Sequence, residues 1–302
     1  MTDERSWAID SISEEAYGAL AHGLPASEVW SVLLEVAARR ARQRTPAGLL
    51  DQWQRDGFTQ PAPVDQRMLV ALDGHLLAAA DGFEAVELSP LAPLGACSVV
   101  GLASQNKIVS SLRGTEVVAD PTNVMALECA RRLRMDAGQV VRLATCHRAV
   151  RAQAVPKQAG FAQHFRIFCL ASGGREQKDQ AFVVGELSRH IATQLAALDR
   201  LERHGYAFPD RRLTVLATAE RAHLADRIAE HISGPRVERQ VLDHAYYDGL
   251  RFMIASRDVN GDENPLIDGG AFDWIGTLTA NRKMVFVASG MGSQRAAMLF
   301  RP

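Results

Sequence analysis

Two stretches far apart in the chain carry side chains suited to phosphate chemistry. One is Cys146-His147-Arg148-Ala149-Val150-Arg151 with its partner His164-Phe165-Arg166-Ile167-Phe168; the other is Ser289-Gly290-Met291-Gly292-Ser293-Gln294-Arg295. Arginine suits such a role because its planar fork grips phosphate or carboxylate bidentately and never loses its charge. Two strands joined by a loop can set one such arginine beside an aromatic platform, an arrangement that Arg148 and Phe168 offer. The Gly290-Met291-Gly292 turn allows close approach where a β-carbon would intrude, and Arg295 follows it. A lone Gly-x-Gly also marks ordinary strand-to-helix turns, and Arg148 and Arg151 also read as strand-edge surface charges. The two segments in this order are more specific than either part.

The elements that must position these residues are legible from periodicity. Val29, Leu33 and Val36 share a stripe that predicts a helix starting near Pro25 and Ser27 and running into Arg39, Arg40, Arg42 and Arg44. Thr45-Pro46 opens another helix through Leu49, Leu50 and Trp53, and Pro61 with Pro63 marks a linker. Met68, Leu69, Leu72, Leu76 and Leu77 predict an amphipathic helix over 64–80, ended by Asp81-Gly82 and followed by strand alternation over 83–88. Asp120 caps a helix that takes Pro121 in its first turn, where the missing N–H has no intrahelical partner anyway. Apolar strands are expected at 140–144 and 165–170, flanking a loop at 153–160, and again at 213–217, 252–255 and 284–288. Helices are expected at 182–201 and 222–232.

Bulk properties constrain function only loosely. The chain has 302 residues, 47% hydrophobic and 23% charged, which fits a globular protein rather than a disordered or fibrous one. A formal net charge of -1 supplies no global attraction for nucleic acid. The four cysteines show no Cys-x-x-Cys spacing, so no zinc site is expected. The acidic start Met1-Thr2-Asp3-Glu4-Arg5 lacks an apolar leader, and no run reaches the ~18 apolar residues of a membrane span. The expectation is a cytoplasmic protein without membrane attachment.

Together the arginine segments resemble the second and third signature motifs of class II aminoacyl-tRNA synthetases. The second motif runs aromatic-Arg-x-acid, a loop, then Arg or His, three residues and Phe; here His147-Arg148-Ala149-Val150 is followed by His164 and Phe168. The resemblance implies Arg148 on the α-phosphate and substrate carboxylate, His164 on the terminal phosphate and Phe168 stacked on adenine. Val150 stands where the pattern has an acid. The third motif is matched by the strand at 285–288, by Gly290 and Gly292, and by Arg295 on the terminal phosphate, with Gln294 replacing an acid. Arg148 and Arg295 are thus the implied catalytic pair. The helix at 64–80, its Gly-aromatic turn, the strand and Pro90 follow the order of the first motif, which implies a homodimer.

Two further stretches narrow the resemblance. Ala245-Tyr246-Tyr247-Asp248-Gly249-Leu250-Arg251-Phe252 and Gly269-Gly270-Ala271-Phe272-Asp273 look like signatures of histidyl-tRNA synthetases and of the ATP phosphoribosyltransferase regulatory subunit. By that likeness Tyr246, Tyr247 and Asp273 line an amino-acid pocket, whereas the tyrosines by themselves also read as a sheet-edge aromatic pair. Leu112-Arg113-Gly114-Thr115-Glu116 resembles the segment that grips the substrate α-amino group, making Thr115 and Glu116 candidates. Leu242 and Ala271 occupy positions where the family carries arginines.

The resemblance implies an α+β fold, a mostly antiparallel sheet flanked by helices over 64–302, with an N-terminal helical extension at 1–63. It implies ATP and Mg²⁺ as cofactors and a small carboxylate such as an amino acid as ligand. Two functions stay open: an enzyme that adenylates a carboxylate for transfer to tRNA or another acceptor, and an inactive regulatory or binding paralogue. RNA binding through Arg39 to Arg44 is a third, weakened by the lack of interleaved aromatics.

Overall fold

The structure is a computed structural model that describes residues 9–156, 160–243 and 245–301. The acidic start at 1–5 and the middle of the 153–160 loop lie outside the described residues. Three helices lead the chain, α1 (Glu14–Gly18), α2 (Ala26–Arg42) and α3 (Pro46–Trp53). Thr45 caps α3 as its sequence predicts, accepting from the Gly48 N–H. None of the three helices buries a described residue. Val32, Val36, Leu49, Leu50 and Trp53 keep their apolar surface exposed.

The chain then builds α4 (Gln66–Ala79), β1 (Glu84–Ala85), β2 (Leu91–Pro93), β3 (Thr115–Val117), α5 (Pro121–Met135), β4 (Val141–Val150) and β5 (His164–Arg175). It continues through α6 (Ala181–Glu202), β6 (Arg212–Ala217), α7 (Ala222–Glu230), β7 (Arg236–Val241), β8 (Leu250–Arg257) and β9 (Glu263–Phe272). It ends with α8 (Trp274–Thr279), β10 (Met284–Met291) and α9 (Ser293–Leu299). Eight strands form one sheet in the order β1-β4-β5-β10-β9-β8-β6-β7, and β2 with β3 forms a separate ribbon. Among the described residues only the outermost pairs, β1·β4 and β6·β7, are parallel.

Alternation sends successive residues of each strand to opposite faces, so the two faces have different cores. On the rear face Cys146, Phe168, Leu170, Val287 and Met291 pack under Leu69, Leu72 and Leu76 of α4 and Leu187 and Ile191 of α6. On the front face Leu143, Cys169, Ala171 and Phe286 pack under Met125, Cys129 and Leu133 of α5 and Ile275 of α8. The expected strand at 83–88 pairs with β4 only at Glu84 and Ala85. The edge strand β7 has no apolar signal because most of it is exposed, so periodicity passes over it.

Candidate active site

The front face opens where β4 and β10 end and β5 begins. A cavity of about 370 Å³ is lined there by Asp120, Thr122, Arg151, Tyr246, Tyr247 and Asp268, with Ile167, Phe272, Ala288 and Gly290 among its other walls. Asp120 and Thr122 reach it because they begin α5. The Asp120 carboxylate accepts from the Thr122 N–H at 3.0 Å and from its hydroxyl at 2.7 Å. Asp268 accepts from the Tyr247 hydroxyl at 2.9 Å and is held by Arg251 at 3.0 and 2.7 Å. Burial pushes the phenols of Tyr246 and Tyr247 well above their usual range, so both are neutral at physiological pH. Gly290 faces the cavity floor, where a β-carbon would come within 3.0 Å of Ile167.

A second cavity, of about 240 Å³, adjoins the first at Arg151 and is also lined by Phe161, Phe165, Gly292 and Arg295. Three arginines line it, Arg151, Arg166 and Arg295; Arg151 lies over Phe165 at 5.1 Å and Arg295 over Phe161 at 4.8 Å. Such cation–ring contacts orient the fork without neutralising its charge. Arg151 also donates to the Ala119 carbonyl and stands 3.7 Å from Asp120. Arg295 donates to the Pro265 carbonyl and to Asn264, and it makes no ion pair among the described residues. Its Nε is buried without a partner, and burial holds its pKa below the ordinary arginine value.

Several sequence-predicted residues stand elsewhere. Arg148 pairs across the ladder with Arg166, and both lie on the rear face with Asp73 of α4. Strand parity separates Arg148 from the front cavities, while Arg151, three residues on, emerges into them. His164 also belongs to the rear, its ring nitrogens 2.9 Å from Arg148 and 2.7 Å from the Gln60 carbonyl. Phe168 is completely buried in the rear core and presents no ring to a ligand, a correction to its assigned role.

The ribbon requires another correction. Glu116 is completely buried, and its carboxylate accepts from the backbone of Gly95 at 2.8 Å and Cys97 at 2.9 Å and from the Gln105 amide at 3.0 Å. Burial opposes ionisation there, yet these donors hold the carboxyl below its usual range. It fastens a loop and is completely buried; Thr115 precedes it with its hydroxyl buried and unpartnered. Asp273 lines a different cavity, with Asp248, Thr277 and Arg282.

The structure therefore brings together Tyr246, Tyr247, Gly290, Gly292 and Arg295 of the expected set, and adds Asp120, Thr122, Arg151, Phe161, Phe165 and Asp268. Asp120 and Thr122 read in the sequence only as a helix cap, because capping and ligand binding use the same side chains. Arg151 and Phe165 were accessible through parity, since both alternate with the front-facing Leu143 and Cys169.

No family model matches the chain. No curated protein sequence matches it either. Solved structures do. The ATP phosphoribosyltransferase regulatory subunit/histidyl-tRNA synthetase from Bacillus halodurans superposes with a TM-score of 0.57 at 14% identity, covering 80% of this chain and 83% of that one. Apo histidyl-tRNA synthetase from S. aureus gives 0.59 at 10% identity, covering 80% and 68%. Histidyl-tRNA synthetase from Nostoc gives 0.55 at 15% identity, covering 80% and 72%. Among the described residues no helix is long and apolar enough to cross a membrane. The mixed, mostly antiparallel sheet flanked by helices is the fold of class II aminoacyl-tRNA synthetase domains, shared with histidyl-tRNA synthetases and the ATP phosphoribosyltransferase regulatory subunit.

Proposed function

We propose that the two front cavities form one site that binds ATP and a small amino acid and joins them as an aminoacyl adenylate. The observation that carries this reading is that Arg151 lines both cavities. A guanidinium at that junction can bridge a carboxylate on one side and the α-phosphate on the other. Adenine stacks against the rings of Phe161 and Phe165, and the terminal phosphates meet Arg295 past the glycine turn. The amino group is received by Asp120 and Thr122, with Tyr246 and Tyr247 walling the side chain.

A carboxylate oxygen attacks the α-phosphorus and the bond to the departing pyrophosphate oxygen breaks, so negative charge grows on both phosphate groups. Arg151 and Arg295 stand where that charge develops. Mg²⁺ would neutralise the triphosphate and be carried by it, because among the described residues no group of three acidic, His or Cys side chains converges. The acceptor of the activated acyl group would be tRNA or another nucleophile, and the protein would act as a homodimer.

Pyrophosphate exchange measured across the common amino acids tests the reading. At least one should support exchange, and Arg151→Ala should reduce it by about 10²–10³-fold or more, while Arg148→Ala leaves it near the wild-type rate. ATP binding with no exchange for any amino acid would instead favour a regulatory subunit. Leu242 and Ala271 favour that second reading, since both positions that carry arginine in the family are buried and apolar here.

A further inference from the structure

Behind the sheet, α4 leaves a cavity of about 410 Å³ that the proposed reaction does not use. Its polar wall is Asp73 of α4 with Arg148, His164 and Arg166 of β4 and β5, and its apolar wall includes Leu69 and Val70. Arg148 and Arg166 are direct cross-strand partners. Like charges placed so repel unless they are matched. The wall contains one carboxylate, and it is committed to Arg166, whose Nε donates to Asp73 Oδ2 at 2.5 Å.

Among the described residues Arg148 has no carboxylate partner of its own. Its Nη1 meets His164 Nδ1 at 2.9 Å and Gln294 Oε1 at 3.1 Å, and it makes no ion pair among the described residues. Burial, reinforced by Arg166, depresses its pKa, which marks a cation without full compensation. Across the cavity Asp73 is 8% exposed, and its carboxylate, which Cys146 also approaches, lines the same space. A cation without an ion pair, a carboxylate and an apolar wall therefore line one cavity.

We propose that this rear cavity is a second ligand site that takes a free α-amino acid, its carboxylate on Arg148, its ammonium on Asp73 and its side chain against Leu69 and Val70. The proposal goes beyond the adenylating reading and does not depend on it. The site would act as an effector site, because β4 carries Arg148 on its rear face and runs directly to Arg151 at the front.

Thermal shift and calorimetry with the common L-amino acids, on full-length Arg151→Ala protein, isolate the rear cavity from the front one. At least one amino acid should bind, and Arg148→Gln or Asp73→Asn added to that background should weaken it by about tenfold or more. Should those variants fail to fold, Val70→Trp gives a second route: Val70 is 64% exposed at the cavity wall, so the indole can fill the space without repacking the core. For a ligand such as leucine, 4-methylpentanoate and isoamylamine, each carrying one of the two charges, should bind at least about tenfold more weakly. The idea is overturned if no amino acid binds Arg151→Ala protein, if binding survives Val70→Trp and Arg148→Gln, or if inorganic phosphate binds as tightly as the amino acid.

Discussion

The front and rear faces of the sheet are made by alternate residues of the same strands, yet the rear holds the larger apolar core with one cavity beside α4, and the front opens into two cavities that share Arg151. On β5 the contrast falls between adjacent residues: Phe168 is completely buried under α4, while Ile167 lines the front cavity. Along β4 and its exit it falls between Arg148, turned to α4, and Arg151 just past the strand, which shares a cavity with Tyr246 and Asp120. The rear carries the core made by α4, α6 and α9, which leaves a cavity beside α4 at Asp73, Arg148, His164 and Arg166. The front is only partly roofed, because α5 and α8 cover the centre of the sheet and leave the ends of β4 and β10 open. A residue's chemistry here follows from its parity in the strand more than from its type.

The largest effect that could break this contrast is at Phe168. Phe168→Ala should cost about 3–5 kcal/mol of stability through the cavity it leaves, read from denaturant unfolding, with ATP affinity of the folded fraction unchanged. A loss of affinity without a loss of stability would return Phe168 to the nucleotide site. The reciprocal change at the front is smaller: Phe165→Ala should weaken ATP binding by about 1–3 kcal/mol, the range for base stacking on an aromatic ring, and leave the unfolding midpoint nearly unmoved. Calorimetry on both variants decides which ring meets the base.

A third prediction sharpens the rear face alone. His190 of α6 is completely buried, with its ring nitrogens 2.9 Å from the Ser172 hydroxyl and 3.1 Å from that of Ser289. Burial lowers its pKa from 6.5 to about 3. The folded state thus binds fewer protons than the unfolded chain between these values. Its contribution is whole above pH 6.5 and is lost as the pH falls towards 3, at about 1.4 kcal/mol per pH unit. Urea midpoints measured from pH 7 to pH 4 should fall steeply for the wild type and less steeply for His190→Gln. Parallel slopes would mean that the imidazole gains protons without penalty.

Much of the fold was legible because apolar periodicity is a local property. The stripe Leu69, Leu72 and Leu76 announces α4, and the Asp120-Pro121 start announces α5 with its cap where it stands. The edge strand β7 was not, since Arg236 to Val241 gains its conformation from pairing with β6 rather than from burial. The site was legible in part. Gly290, Gly292 and Arg295 stand in the expected turn and lie at the front. Arginines recur at 148 and 151, and the pattern of types fits both, while Arg151 lines the front cavities and Arg148 the rear one. The Thr115-Glu116 segment resembled a substrate loop by composition, but its carboxylate is consumed by the backbone of Gly95 and Cys97.

Sequence by itself determined most of the helices and core strands, that a glycine turn precedes Arg295, and that arginines and aromatics occur in the order of the motifs they resemble. Those properties depend on neighbours a few residues apart, which the chain carries wherever it goes. Tertiary structure alone decided which arginine points into the open face, which phenylalanine is spent on the core, and that Asp120, Tyr246 and Asp268 share one cavity. Such facts depend on the register of β4 against β5 and on which helices cover each face, and these are set by contacts between residues far apart in the chain.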